Sequence, residues 1–130
     1  MPFMFENLEV YQKAIDFADR ITTTTEKFPR GYYFLTDQLN RAAVSISANL
    51  AEGNGRFTRA DRRNFFMIAR GSLHECVPLL DLSRRRGLTS EITYNQFRDE
   101  LETLAKMISG LIKGIDRRAD FSGKARKIEQ

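Results

Sequence analysis

Four stretches of the chain carry apolar residues at intervals of three and four, and none alternates, so the pattern predicts amphipathic helices and no strand. In the first, Leu8, Tyr11, Ala14, Ile15, Ala18 and Ile21 share a face between an N-cap at Asn7 and about Lys27. Phe28-Pro29-Arg30-Gly31 ends it, because the residue before proline avoids the helical region and glycine tolerates a reversal. The Thr22 to Thr25 run is weak helix-forming sequence and is expected to fray. The second stretch runs from about Asp37, capped by Thr36, to Glu52, with Leu39, Ala42, Ala43, Ile46 and Leu50 turned inward. Gly53 and Gly55 are expected to supply left-handed positions at its end.

The third helix is expected to start after Thr58, whose hydroxyl can reach the amide near Asp61, and to stop at about Arg86 before Gly87. Its apolar stripe is Phe65, Ile68, Ala69, Leu73, Cys76, Val77 and Leu80. Pro78 lies inside that stripe, where it removes a backbone hydrogen bond, frees the carbonyl of His74 and predicts a bend. The fourth, from about Tyr94 to Arg118, places Phe97, Leu101, Leu104, Ile108, Leu111 and Ile115 at alternating steps of four and three. Four such helices on short connections predict an all-α fold, an antiparallel up-and-down four-helix bundle over residues 1–118. Residues 119–130, polar and basic, are expected to form a C-terminal tail or docking arm.

At 130 residues the chain has the length of one domain, able to bury roughly two-thirds of its unfolded surface without a disulfide or metal. Cys76 is the one cysteine and His74 the one histidine; two positions apart on a helix, they point to different sides, so no metal and no cofactor is expected. An unpaired cysteine fits a reducing, cytoplasmic setting. The opening MPFMFENLEV has no basic region followed by an apolar run, and no run of about 18 apolar residues suggests a membrane span.

Charge changes the picture more. The net charge is +4, but residues 41–90 alone carry nine cations against four carboxylates, a net of +5, and all nine cations are arginine. Arg56, Arg59, Arg62 and Arg63 surround the start of the third helix, and Arg84, Arg85 and Arg86 close it about 35 to 40 Å away. Arginine's planar fork suits phosphate and carboxylate alike, so both zones are candidate contacts for RNA or DNA, or for an acidic protein surface.

A second polar feature lies on the second helix. At 100° per residue, Gln38, Arg41, Ser45, Asn49 and Glu52 stack along one line away from the apolar stripe. The third helix offers Arg70, Ser72 and Glu75 beside Gly71, and the small residues there would let two helix backbones approach closely. A hydrogen-bonded seam between helices or subunits is the favoured reading. Catalysis would need Glu52 and Glu75 to converge in a pocket, and Ser45 has no histidine near it in sequence. No catalytic residue is therefore assigned, and Gly53 and Gly55 lack the spacing of a phosphate loop.

FENLEVYQKA near the start, FP at 28–29, LTDQLNRAAVSISANLAEG from 35 to 53 and IARGSLHE from 68 to 75 together resemble the bacterial four-helix-bundle family, also called the 23S rRNA intervening-sequence protein family. The likeness spans about residues 5 to 115 and extends to the accessory protein of diversity-generating retroelements, which is similar and works with nucleic acid. The resemblance implies a ring-shaped homopentamer without an assigned biochemical activity. Its motif positions fall on Arg41, Ser45, Asn49, Glu52, Gly53, Gly71, Ser72 and Glu75, and Pro78 departs from the family's uninterrupted third helix. Together these readings point to a non-enzymatic helical oligomer associated with nucleic acid; the alternative is an adaptor for an acidic protein partner.

Overall fold

The computed structural model describes the backbone from Phe3 to Glu129 and the side chains of residues 3–118. Helix α1 spans Glu9–Thr25, α2 Tyr33–Asn54, α3 Arg59–Arg85 and α4 Glu91–Glu129, and no strand occurs among the described residues. Short 3-10 turns at Met4–Asn7 and Arg30–Tyr32 precede α1 and α2. The predicted all-α four-helix bundle is the fold observed.

Several helix ends differ from expectation. Asn7 does not cap α1, because it is drawn into the preceding turn; Leu8 takes the cap position without a side-chain hydrogen bond. The threonine run holds together where fraying was expected, since Thr22 and Thr23 both donate to the Asp19 carbonyl and Thr24 to that of Arg20. Thr25 goes further: buried, it donates at 2.8 Å to the Asn40 side chain and ties the end of α1 to α2. Helix α2 begins before Thr36, at Tyr33, because the turn after Pro29 feeds directly into it. Gly53 and Gly55 are not left-handed either. The positive φ among the described residues belongs to Gly87, at 73°.

That glycine ends α3 by a reciprocal pair of bonds, Gly87 N–H to the Arg84 carbonyl and Leu88 N–H to that of Ser83, each 2.9 Å. The start of α3 is as predicted: the Thr58 hydroxyl accepts from the Asp61 amide at 3.1 Å. Helix α3 continues through Pro78, whose side is exposed. Ser90 caps α4 by accepting from the Thr93 amide at 3.1 Å, so α4 starts ahead of Tyr94. The side chains of the proposed tail, 119–130, lie outside the described residues.

Neighbouring helices pack in alternating directions. Ser45 meets Ser72 while Gly53, later in α2, meets Phe66, earlier in α3. Arg63 reaches Asp116 and Arg84 reaches Glu91, which reverses α3 against α4 in the same way. Between them Phe17, Ile21, Leu35, Leu39, Ile46, Leu50, Phe66, Leu80, Leu101, Leu104 and Ile108 are fully buried, the apolar core that drives the fold. Three of its members correct the predicted stripes. Phe66 rather than Phe65 is buried, Phe17 joins α1's inner face while Ile15 stays 42% exposed, and Ile112 rather than Leu111 follows Ile108. Ile68 is likewise 44% exposed.

Candidate functional site

The polar line on α2 divides into an inner and an outer part. Ser45 turns toward α3, its hydroxyl 2.7 Å from that of Ser72. One turn on, Asn49 donates its amide to the Ser45 carbonyl at 2.8 Å and to the Ser45 hydroxyl at 3.0 Å. All three are half-buried, and the Ser45–Ser72 bond is the one among them that crosses from α2 to α3. Each such bond contributes about 0.5–1.5 kcal/mol. Gln38, Arg41 and Glu52 stay exposed instead, with Arg41 paired to Asp37 and Glu52 to Arg56, each at 3.1 Å. Arg70, Gly71 and Glu75 are exposed on α3. A Cβ on Gly71 would meet nothing within 4 Å, so the close helix approach expected there is made elsewhere. It is made at Gly53, where a Cβ would lie 2.7 Å from the Phe66 ring and 3.1 Å from the Phe65 Cβ.

No reactive constellation accompanies this seam among the described residues. No group of three or more His, Cys, Asp and Glu side chains is placed to hold a metal ion there. Glu52 is held by Arg56, and the Cys76 thiol is buried, which pushes its pKa up to about 12 with a smaller contribution from the Glu75 charge. A groove of about 260 Å³ between α1 and α4 contains Lys13, Asp16 and Asp99, but its strongest feature is internal: Arg20 grips both oxygens of Glu100, at 3.0 and 2.7 Å.

The two arginine zones differ in how their charge is used. Arg84 bonds Asp81 at 2.7 Å, approaches Glu91 at 3.5 Å and lies 4.1 Å above the Tyr94 ring, while Arg85 bonds Asp81 at 3.2 Å. Hydrogen bonds from Arg84 and Arg85 hold the Asp81 carboxyl below the usual carboxylate range. This zone clamps the end of α3 to the start of α4; Arg86 projects beyond it, exposed. At the α2–α3 corner ion pairs form as well. Arg56 stands 3.1 Å from Glu52 and 4.6 Å over the Phe65 ring, and Arg63 reaches Asp116 at 2.9 Å. Arg59 is exposed, and the half-buried Arg62 has a buried Nε that donates to no acceptor among the described residues. A buried donor left unmet costs about 1–3 kcal/mol.

One residue at this corner escaped the sequence reading. Phe57, between Arg56 and Thr58, is 103% exposed and borders a groove of about 800 Å³ with Phe3, Met4, Glu52, Asn54 and Arg56. An apolar residue outside every helical stripe, in the GRFTR turn, was the signal that could have found it.

Residues 6–110 match the family model described as 23S rRNA-intervening sequence protein. The chain belongs to this family. The match lies within the region, about residues 5 to 115, over which the sequence resembles that family. Among solved structures, the bundle is similar to a crystal structure of a protein with unknown function from the S23 ribosomal protein family of Bacteroides thetaiotaomicron. The TM-score is 0.75 at 25% identity, covering 80% of this chain and 95% of that one. No curated protein matches the chain. Among the described residues no helix is long and apolar enough to cross a membrane.

Proposed function

We propose that this member of the 23S rRNA-intervening sequence protein family is a non-enzymatic, cytoplasmic homo-oligomer that holds RNA or DNA by its phosphates at the α2–α3 corner. The observation that carries the reading is the corner itself. Arg56, Arg59, Arg62 and Arg63 crowd the start of α3, and Arg56, Arg59 and Arg63 are exposed there. A phosphate supplies fixed acceptors for guanidinium forks, and its charge is favoured near a helix N-terminus. The Arg84 zone is the weaker candidate, because it lies at the C-terminal end of α3, where the helix dipole disfavours an anion. Self-association draws support from Ile15, Val44, Ile68 and Ile92, which remain exposed on the protomer, and the pentamer is what the family resemblance implies. A ring would multiply weak phosphate contacts by avidity.

Fluorescence anisotropy with a labelled oligonucleotide across a salt series tests this. Log affinity should fall with log salt at roughly −0.7 to −0.9 per phosphate neutralised, and a double Arg56→Gln/Arg59→Gln variant should flatten that slope. An affinity indifferent to salt removes the reading. The bare Phe3, Met4 and Phe57 beside the arginines also support a second reading, an adaptor for an acidic protein. Recovery of a partner from nuclease-treated lysate, free of nucleic acid, would favour that adaptor instead.

A further inference from the structure

We infer that the α2–α3 corner is selective for single-stranded nucleic acid, stacking an unpaired base on Phe57 while Arg56 and Arg59 hold the neighbouring phosphates; this rests on the phosphate-binding reading above. Phe57 is fully exposed, and among the described residues its ring forms no aromatic or cation–π pair. Nor is it on a loose loop. The Gly55 amide bonds the Ala51 carbonyl at 3.3 Å and that of Glu52 at 3.2 Å, and Thr58 caps α3, so the segment bearing Phe57 is anchored on both sides. With the backbone already fixed, the ordering cost when a base settles on the ring is confined to the side chain.

The chemistry around the ring fits a nucleotide. Arg56 precedes it and Arg59 follows two positions later, so cations flank an aromatic face. The adjoining groove of about 800 Å³ is roomy enough for a base, and Asn54 at its wall carries both a donor and an acceptor for a base edge. Bases inside a duplex offer no free face, whereas unpaired bases stack on aromatic side chains regardless of sequence. A second copy of this chain pairing two-fold at this corner is the poorer occupant: it would bring an identical basic corner against the first.

Anisotropy with a labelled single-stranded RNA of about 20 nucleotides, the matching DNA and a duplex of the same sequence distinguishes these outcomes. The parent protein should prefer a single strand of either sugar to the duplex. Phe57→Ala should weaken single-strand binding roughly 5- to 150-fold, the range expected for losing one stacked base, at an unchanged salt slope and with duplex binding intact. Phe57→Trp should restore affinity, and its fluorescence should fall as the strand binds. If Phe57→Ala binds single strands within twofold of the parent while the parent keeps its salt-dependent affinity, the stacking inference fails and phosphate binding stands. A parent that binds no strand at low salt overturns both. Sedimentation showing that Phe57→Ala changes subunit number, with affinity per assembled chain unaltered, would assign the ring to a subunit contact and overturn the inference.

Discussion

Replacing Gly53 by alanine sets two known effects against each other. Alanine in a helix interior is favoured over glycine by about 0.5–1 kcal/mol, so at an open site the change stabilises. At Gly53 the new methyl would lie 2.7 and 2.8 Å from two Phe66 ring atoms and 3.1 Å from the Phe65 Cβ, all short of ordinary contact. Phe66 is 1% exposed, inside a core where close packing resists displacement of the ring. Overpacking of this kind costs about 1–3 kcal/mol, so the clash prevails and the net loss is roughly 0.5–2 kcal/mol. For a chain of this length that lowers the melting temperature by about 2–8 °C, measured by circular dichroism at fixed protein concentration. Gly71→Ala is the control: with nothing within 4 Å of its Cβ position, it should raise the midpoint by about 2–4 °C. Adding Phe66→Leu to Gly53→Ala should recover part of the loss, making the pair less destabilising than the sum of the singles by at least about 0.5 kcal/mol. A Gly53→Ala protein melting at or above the parent temperature would refute the close α2–α3 contact.

Leu104→Ala, at a position 1% exposed in the middle of α4, should cost about 2–5 kcal/mol in urea unfolding through the cavity it leaves; an unchanged midpoint would contradict its place in the core. Ser72→Ala should cost about 0.5–1.5 kcal/mol by removing the Ser45–Ser72 hydrogen bond, and a double-mutant cycle with Ser45→Ala should reveal coupling, whereas strictly additive losses would mean that the 2.7 Å contact contributes nothing. The Cys76 thiol, raised from 9.0 to about 12 by burial, should ignore a thiol reagent at pH 8 until the protein is unfolded, and rapid labelling of the native form would show the site to be open. By the same shift, stability should decline as pH rises from about 9 toward 12, because the unfolded chain gives up that proton first.

Periodicity made the bundle legible because burial of one helical face is a long-range average that survives local error. All five residues assigned to the α2 core are buried, and the Thr58 cap and the Gly87 stop stand where their local chemistry demands. Local chemistry misled where a neighbour outweighed it. Gly53 followed by Asn54 and Gly55 has the composition of a helix end, yet Gly53 remains helical because Phe66 needs its missing side chain; only the packing partner, distant in sequence, reveals that. Phe65 and Phe66 are adjacent apolar residues, and pattern alone could not choose which faced inward. The polar line illustrates the same limit: a shared angular sector identified Ser45 and Asn49, but could not show that Ser72 would meet Ser45 while Arg41 turned to Asp37 and Glu52 to Arg56 just beyond the helix. Phe57 was invisible for a different reason. Turns carry no periodicity, so an apolar residue there attracts no reading until its exposure is known.

The fastening of the bundle is unequal at its two extremities. Thr25 with Asn40, and Arg84 with Asp81, Glu91 and Tyr94, sew up one extremity, while Phe3, Met4 and Phe57 are left bare at the other. Rotation about a single axis cannot flip a subunit end over end. Any closed circular arrangement of these chains with their helices along that axis would therefore be two-faced, with Phe3 and Phe57 of every chain on the same rim and every stitched tip on the opposite one.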